Sequence, residues 1–379
     1  MQRILPLLMS IILSLLSPVV SAVTLVPAPP RINASSYLVM EFHSGRMLVE
    51  ENADKRVEPA SLTKIMTIYI AAKELVAGHI HLIDKVHVSE KAWRMSGSRM
   101  FIEVNKEVTV EELLHGIIIQ SGNDASVALA EHIAGDEDVF AQMMNQEART
   151  LGMVNSHFVN STGMPHADHY STAKDLTLLS RALIREHPEI YAFHSVKEFT
   201  YNGIKQVNRN SMLYRDQSVD GIKTGHTDTA GYCLVASAVR GDTRLISVVM
   251  GAEGENARIN MTQALLSYGF RFFETHKLYT ANQVIQTGRI WKGERESVDF
   301  GVHQDLYITI PKGTYKQLDA SIELDPTIIA PVNVGDVKGT LKVKLEGKEL
   351  LNQPLIILQP VGPGSLLDRL EDEVRLLFN

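Results

Sequence analysis

A single cysteine, Cys233, stands in 379 residues, which excludes an intrachain disulfide and any cysteine-based metal cluster. The fold must therefore stand on packing. Positive charge is also short: 37 Lys and Arg face 44 Asp and Glu, a formal net charge of −7, which leaves no electrostatic footprint for nucleic acid phosphates. Beyond the first residues no apolar run reaches the roughly 20 residues needed to span a bilayer. No fixed-period repeat is visible, and 25 Gly and 14 Pro in a chain that is 45% hydrophobic and 21% charged exclude collagen-like, coiled-coil and disordered classes. What remains is a globular chain long enough for two domains of about 100 to 200 residues each.

The start of the chain reads as a processing signal. Arg3 precedes an apolar run over residues 4–16, Pro18 breaks it, and Val20, Ser21 and Ala22 supply the small-residue cleavage pattern. Residues 1–22 are expected to be removed on export. Residues 23–33 are rich in proline and lack helical periodicity, an extended leader. Next, 36–42 and 47–50 read as strands joined across His43, Ser44 and Gly45. A helix is expected over 61–76, preceded by Pro59 and stopped by Gly78, and apolar on nearly every side, which is how a helix through a core reads. Further helices are expected over 110–119, 124–133, 138–151 and 173–186.

Apolar β-branched runs over 232–239 and 244–252, joined by Arg240, Gly241, Asp242 and Thr243, predict a hairpin, and 259–273 returns to helical spacing. Strands, then helices, then strands and a helix imply a sheet flanked by helices, a mixed α/β or α+β layer architecture. From 278 short alternating runs predict a second, all-β unit, with Gly313, Gly335, Gly339 and Gly347 at turns. After Pro360, Gly362, Pro363 and Gly364, the residues Leu366, Leu367, Leu370, Val374, Leu377 and Phe378 recur at helical spacing, an amphipathic helix whose polar side is acidic.

Ser61, Leu62, Thr63 and Lys64 form an S-x-x-K element, and on a helix Ser61 and Lys64 share a face one turn apart. A serine hydroxyl needs a base, and a lysine desolvated among apolar side chains has its pKa lowered toward that role. A second copy, Ser171 to Lys174, reads instead as a helix start, because Thr172 followed by Asp175 is a capping-box pattern. Ser121, Gly122 and Asn123 make the chain's one S-x-N tripeptide and Lys223, Thr224 and Gly225 its one K-T-G. His166, Asp168 and His169 lack ligand-pair spacing, so no metal site is expected. Cys233, inside an apolar strand, is expected to be a buried inert thiol.

The order S-x-x-K, S-x-N, K-T-G is that of penicillin-binding proteins and serine β-lactamases. The chain resembles the D-alanyl-D-alanine carboxypeptidases among the low-molecular-mass penicillin-binding proteins. The resemblance extends over 160–170, 208–210, 220–227, 231–238 and 269–275. It implies a catalytic domain of the penicillin-binding and β-lactamase kind over 34–277, a β-rich domain over 278–360 and a membrane-association helix over 361–379. It further implies that Ser61 attacks the carbonyl between two terminal D-alanines of a peptidoglycan stem peptide and that Lys64 is the base. Ser121 and Asn123 would relay protons and hold the substrate amide, with Lys223 adding positive charge. Thr224 and Arg258 would hold the terminal carboxylate, beside Gly225 and His226, and the backbone N–H groups of Ser61 and His226 would form the oxyanion hole.

Implied partners are the stem peptide, β-lactam antibiotics and the inner-membrane surface on the periplasmic side, with no cofactor. A serine β-lactamase is the nearest rival. Against it stand Gly122, where the S-D-N pattern has Asp, and the lack of an obvious water-activating Glu. An endopeptidase for peptidoglycan cross-links would use the same site chemistry, whereas a non-catalytic cell-wall scaffold would use only the β unit and the tail.

Overall fold

The computed structural model describes residues 26–378, so the apolar run and cleavage pattern of residues 1–22 lie outside the described residues. The first unit is built on five strands, β1 (Ser36–Glu41), β2 (Met47–Glu51), β3 (Val219–Thr227), β4 (Gly231–Arg240) and β5 (Thr243–Ala252). They are antiparallel throughout in the order β2-β1-β5-β4-β3. Side chains alternate across a strand, and here both faces are covered. Leu38, Met40, Ile246 and Val248 enter one core with Leu62, Ile65 and Ile68, while Tyr37, Val39, Leu245 and Val249 enter a second core with Leu265 and Leu266. That double burial is why these strands read as continuous apolar runs.

The first core is helical: α1 (Lys64–Val76), α2 (Val110–His115), α3 (Asn123–Ala134), α4 (Glu137–Thr150) and α5 (Ala173–Glu186). α1 is buried without a break from Lys64 to Ala72, each large apolar side chain contributing about 1.5–3 kcal/mol. A 3-10 turn over Ala60–Thr63 leads into it. α6 (Glu255–Phe272) covers the opposite face of the sheet. It starts four residues before the apolar spacing suggests, because Glu255, Asn256 and Ala257 carry no apolar signal. The result puts Arg258 in its first turn.

β3, which holds Lys223, Thr224 and Gly225, has no counterpart among the strands expected from sequence. These three residues are paired with β4 at Lys223–Val235, Thr224–Leu234 and Gly225–Cys233. Asp220, Gly221 and Gly225 are poor strand formers, and only the neighbouring strand overrides that preference.

The second unit contains β6 (Phe273–Tyr279), β7 (Gln286–Arg289), β8 (Ser297–Gly301), β9 (Leu306–Pro311), β10 (Leu318–Leu324), β11 (Val337–Leu345) and β12 (Lys348–Ile357). β6 pairs with β9, and the others form a sheet in the order β7-β8-β12-β11-β10 around Val298, Phe300, Ile308, Leu341 and Val343. Gly313, Gly335 and Gly347 have positive φ at turns. Gly339 is not at a turn: it sits in β11 at a register shift, where a Cβ would come within 2.7 Å of the Leu324 side chain.

The two units meet at a polar joint. Glu41, fully buried, accepts from the Ser44 N–H at 2.7 Å, the Ser44 hydroxyl at 2.7 Å and the Thr309 hydroxyl at 3.1 Å. His43 stacks on Tyr307 with centroids 4.4 Å apart. At the end of the chain α7 (Leu366–Leu376) is capped by Ser365 and Asp368 and meets the β unit through Asp372 and Glu373. Asp372 accepts from the Arg289 guanidinium at 3.2 Å and the Lys292 N–H at 2.6 Å, and Glu373 pairs with Lys292. Leu366, Leu367, Leu370, Val374, Leu377 and Phe378 are all exposed.

Candidate active site

Ser61 sits in the 3-10 turn ahead of α1, directly after Ala60, whose φ of 48° is unusual for a residue with a Cβ. β3 packs against this turn so closely that a Cβ at Gly225 would lie 3.1 Å from the Pro59 carbonyl oxygen. One helical turn on, the Lys64 side chain is fully buried. Its Nζ lies 3.0 Å from Ser61 Oγ, 2.7 Å from Asn123 Oδ1 and 2.6 Å from the Thr162 carbonyl oxygen.

Two of these three partners can only accept. A neutral amine has two N–H donors and one lone pair, so satisfying both carbonyls leaves the lone pair for the Ser61 hydroxyl. Burial, with the charge of Arg209 second, lowers the Lys64 pKa to about 7, which makes that neutral form available.

Both carbonyls are fixed from behind. Asn123 Nδ2 donates to the Ser96 carbonyl at 2.7 Å, which orients Oδ1 toward Lys64. Asn160 Oδ1 accepts from the N–H and hydroxyl of Thr162 and from the Gly163 N–H, holding the Thr162 carbonyl in place. Gly163 is required here: its φ is +83°, and a Cβ would stand 1.8 Å from the Ala60 carbonyl oxygen. Glu137, behind this loop, accepts from the N–H and hydroxyl of Ser161.

Ser121 comes from the other side. α2 widens into a π-helical turn over Gly116–Gln120, which ends with Ser121 in the left-handed region at φ 64°. Such turns and strained residues recur at functional sites. Ser121 Oγ is buried with no hydrogen-bond partner in the free protein. Asp124, fully buried, accepts from the N–H groups of Met100 and Phe101 at 2.8 Å each and pins the loop that carries Ser98. At Gly122 a Cβ would meet Asp124 Oδ1 at 2.9 Å and the Met100 nitrogen at 3.1 Å, so this packing excludes the aspartate of the S-D-N pattern.

The third wall is cationic. Lys223 is buried, its Nζ 3.1 Å from the Thr224 carbonyl oxygen. Burial, reinforced by Lys64, Arg209 and Arg258, holds it well below the usual lysine range. Arg258 donates to the carbonyls of Gly225 at 3.2 Å and Cys233 at 3.4 Å, lies over the Tyr232 ring and pairs with Glu255 at 3.3 Å. His226 packs on the same ring at 4.0 Å. A cavity of about 400 Å³ opens among Ser61, Ser121, Thr224, Gly225, His226 and Arg258.

Six of the nine residues singled out in the sequence line this cavity, and the other three, Lys64, Asn123 and Lys223, are buried beside it. Sequence reasoning missed Arg209 and Glu255 on the cavity wall and the Asn160 to Gly163 loop beneath Lys64. A signal existed for that loop, since Asn160, Ser161, Thr162 and Gly163 form a turn-type cluster, and for Arg209, which stands between Asn208 and Asn210. Glu255 has none. Both ring nitrogens of His169 have partners: Nδ1 accepts from the Val159 N–H at 3.2 Å and Nε2 bonds the Thr63 hydroxyl at 2.7 Å.

Fold and site define the class, a serine hydrolase of the penicillin-binding-protein kind. The comparisons narrow it. Residues 23–254 match the model of the D-alanyl-D-alanine carboxypeptidase family, and residues 273–362 that of the penicillin-binding protein 5 C-terminal domain. D-alanyl-D-alanine carboxypeptidase DacC of Escherichia coli is 42% identical over 378 residues, covering 98% of this chain and 94% of its own. Penicillin-binding protein 5 of Haemophilus influenzae superposes with a TM-score of 0.86 at 42% identity, over 89% of this chain and 99% of its own. Penicillin-binding protein D2 of Listeria monocytogenes in its ampicillin-bound form gives 0.60 at 32% identity, over 64% of this chain and 100% of its own. The chain belongs to the D-alanyl-D-alanine carboxypeptidase family.

Proposed function

We propose that the protein removes the terminal D-alanine from peptidoglycan stem pentapeptides through an acyl-enzyme on Ser61, and that penicillins acylate the same serine. The carrying observation is the Lys64 amine, whose two other partners are carbonyls at 2.7 and 2.6 Å, so that its lone pair faces Ser61 Oγ at 3.0 Å. Lys64 takes the hydroxyl proton as Ser61 Oγ bonds to the scissile carbonyl carbon. The resulting oxyanion is stabilised by backbone N–H groups, those of Ser61 and His226. Collapse breaks the C–N bond, the amine of D-alanine leaves with a proton, and water, deprotonated in turn, releases the shortened peptide and regenerates Ser61.

Ser121 Oγ, which has no hydrogen-bond partner among the protein's own groups, is the natural relay for the leaving-group proton, and Lys223, when protonated, adds positive charge to the same cluster. Asn123 holds the substrate amide. Thr224 and Arg258, alongside Gly225 and His226, take the terminal carboxylate, which suits a guanidinium.

The domain reading proposed with this function is a signal over 1–22, a leader over 23–33, a catalytic unit over 34–277, a β unit over 278–360 and a membrane-association helix over 361–379. β6 straddles the 277/278 division. No helix among the described residues is long and apolar enough to cross a membrane. The exposed apolar stripe of α7 supports peripheral attachment to the periplasmic side of the cytoplasmic membrane.

The test is a mass-spectrometric time course of the mature protein with benzylpenicillin beside Ser61→Ala, followed by D-alanine release from a pentapeptide. A lasting adduct on Ser61, absent from the variant, and release of free D-alanine are expected. Rapid consumption of the drug would instead mark a β-lactamase, and intact drug with no release would leave a scaffold.

A further inference from the structure

Ser61, Ser121, Arg209, Arg258 and Glu255 line one cavity, and Glu255 is the one acidic residue among its lining residues. Glu255 Oε1 lies 3.3 Å from Arg258 Nη2, and its charge is also the one that offsets the effect of burial on Arg209. Arg258 is only 5% exposed, whereas the Glu255 side chain is 57% exposed. The guanidinium is fixed, held by the carbonyls of Gly225 and Cys233, while the carboxylate at the mouth of the cavity is free to swing into water.

We propose that Glu255 is a specificity-determining residue, an internal carboxylate that occupies the anion position on Arg258 in the free enzyme and must yield it to the terminal carboxylate of the peptide. The inference rests on the reading of Arg258 as the carboxylate-binding residue. Two carboxylates cannot both be neutralised by one guanidinium at close range, so each productive encounter exchanges one ion pair for another. The exchange weakens binding of acids without touching the acyl-transfer step, since the Lys64 amine meets Ser61, Asn123 and the Thr162 carbonyl, whereas Glu255 meets Arg258. A half-exposed ion pair of this kind changes affinity by about two- to fivefold.

The experiment separates binding from chemistry by working first on the Ser61→Ala protein. Calorimetric titration with diacetyl-L-Lys-D-Ala-D-Ala and with its C-terminal amide, repeated on Ser61→Ala/Glu255→Gln, is expected to give two- to fivefold tighter binding of the acid and no change for the amide. With Ser61 restored, Glu255→Gln should lower KM for the acid by the same factor and leave kcat and its pH profile in place. If the acid binds the Gln variant equally or more weakly, Glu255 positions Arg258 rather than competing for it, and the inference falls while the function stands. Equal tightening of the amide would also overturn it. If neither protein prefers the acid over the amide, the carboxylate reading of Arg258 fails, and the inference with it.

Discussion

The protonation of Lys64 makes a prediction whose sign can be worked in both directions. An ordinary lysine, with a pKa of 10.5, is neutral in about one molecule in 3,000 at pH 7. Lowered to about 7, Lys64 is neutral in about half of them. Acylation by benzylpenicillin should therefore rise from pH 5 and level off above pH 8, with a midpoint near 7. Arg209 lowers Lys64 by charge, and Glu137 raises it. Arg209→Gln should move the midpoint up and slow acylation below it, and Glu137→Gln should move it down. Gln at 137 keeps an acceptor for the Ser161 N–H and hydroxyl, so the second variant changes charge with little change of shape. Arg209 also lines the cavity, so its removal lowers the plateau; the midpoint isolates the titration. Lys223 titrates in the same cluster, and the apparent midpoint belongs to the pair, but Arg209 lowers both lysines, so the direction is unchanged. The assay is the second-order rate of Ser61 acylation from pH 5 to 9. Midpoints that stay together in the three proteins, or a flat profile, would refute Lys64 as the base.

Gly163→Ala puts a Cβ 1.8 Å from the Ala60 carbonyl at a φ of +83°; a loss of about 3 kcal/mol or more in stability is expected by denaturant titration, with acylation falling as the Thr162 carbonyl leaves Lys64. Thr309→Val removes a hydroxyl from the buried Glu41 carboxylate and should cost about 1–3 kcal/mol, read as a lower thermal midpoint with unchanged acylation at 25 °C. Replacing both Leu370 and Val374 by Asp in the exposed stripe of α7 should reduce sedimentation with zwitterionic vesicles at least about tenfold, and deletion of residues 365–379 should abolish it. Cys233, buried and pushed up to about 11, should resist thiol reagents at pH 8 until the protein is unfolded.

Legibility followed burial. α1 and the β4–β5 hairpin were readable because their residues are apolar on both sides, and α5 because its capping residues Thr172 and Asp175 are in the sequence. β3 was not readable as a strand, since its glycines are chosen for close approach to Pro59 and Tyr191 rather than for strand formation. The three motifs brought seven site residues into view and the family resemblance added His226 and Arg258, yet motifs name only the groups nearest the chemistry. What orients them is less visible: Asp124 holds the Ser98 loop through backbone N–H groups 22 to 24 positions away, and the Thr162 carbonyl reaches Lys64 across 98 positions, pairings that no local pattern records.

The acidic face of α7 shows how such a pairing changes a functional reading. By sequence, Asp368, Glu371, Asp372 and Glu373 argue against a membrane-surface helix, because an anionic bilayer repels them. In the structure Asp372 and Glu373 are taken up by Arg289 and Lys292 of the β unit, and Asp368 closes the helix cap. Two of the four charges on the helix's polar side thus tie it to the β unit, while Glu371 pairs with Arg375 of its own helix. With Asp372 and Glu373 held by the β unit, the apolar stripe stays exposed, and on the proposed attachment its attraction to a bilayer would be hydrophobic rather than electrostatic. Binding to zwitterionic vesicles should therefore survive 0.5 M salt, whereas binding carried by basic residues would be lost within a few Debye lengths of screening. Release of the protein by salt alone would mean that some other, cationic surface holds the membrane and that α7 does not.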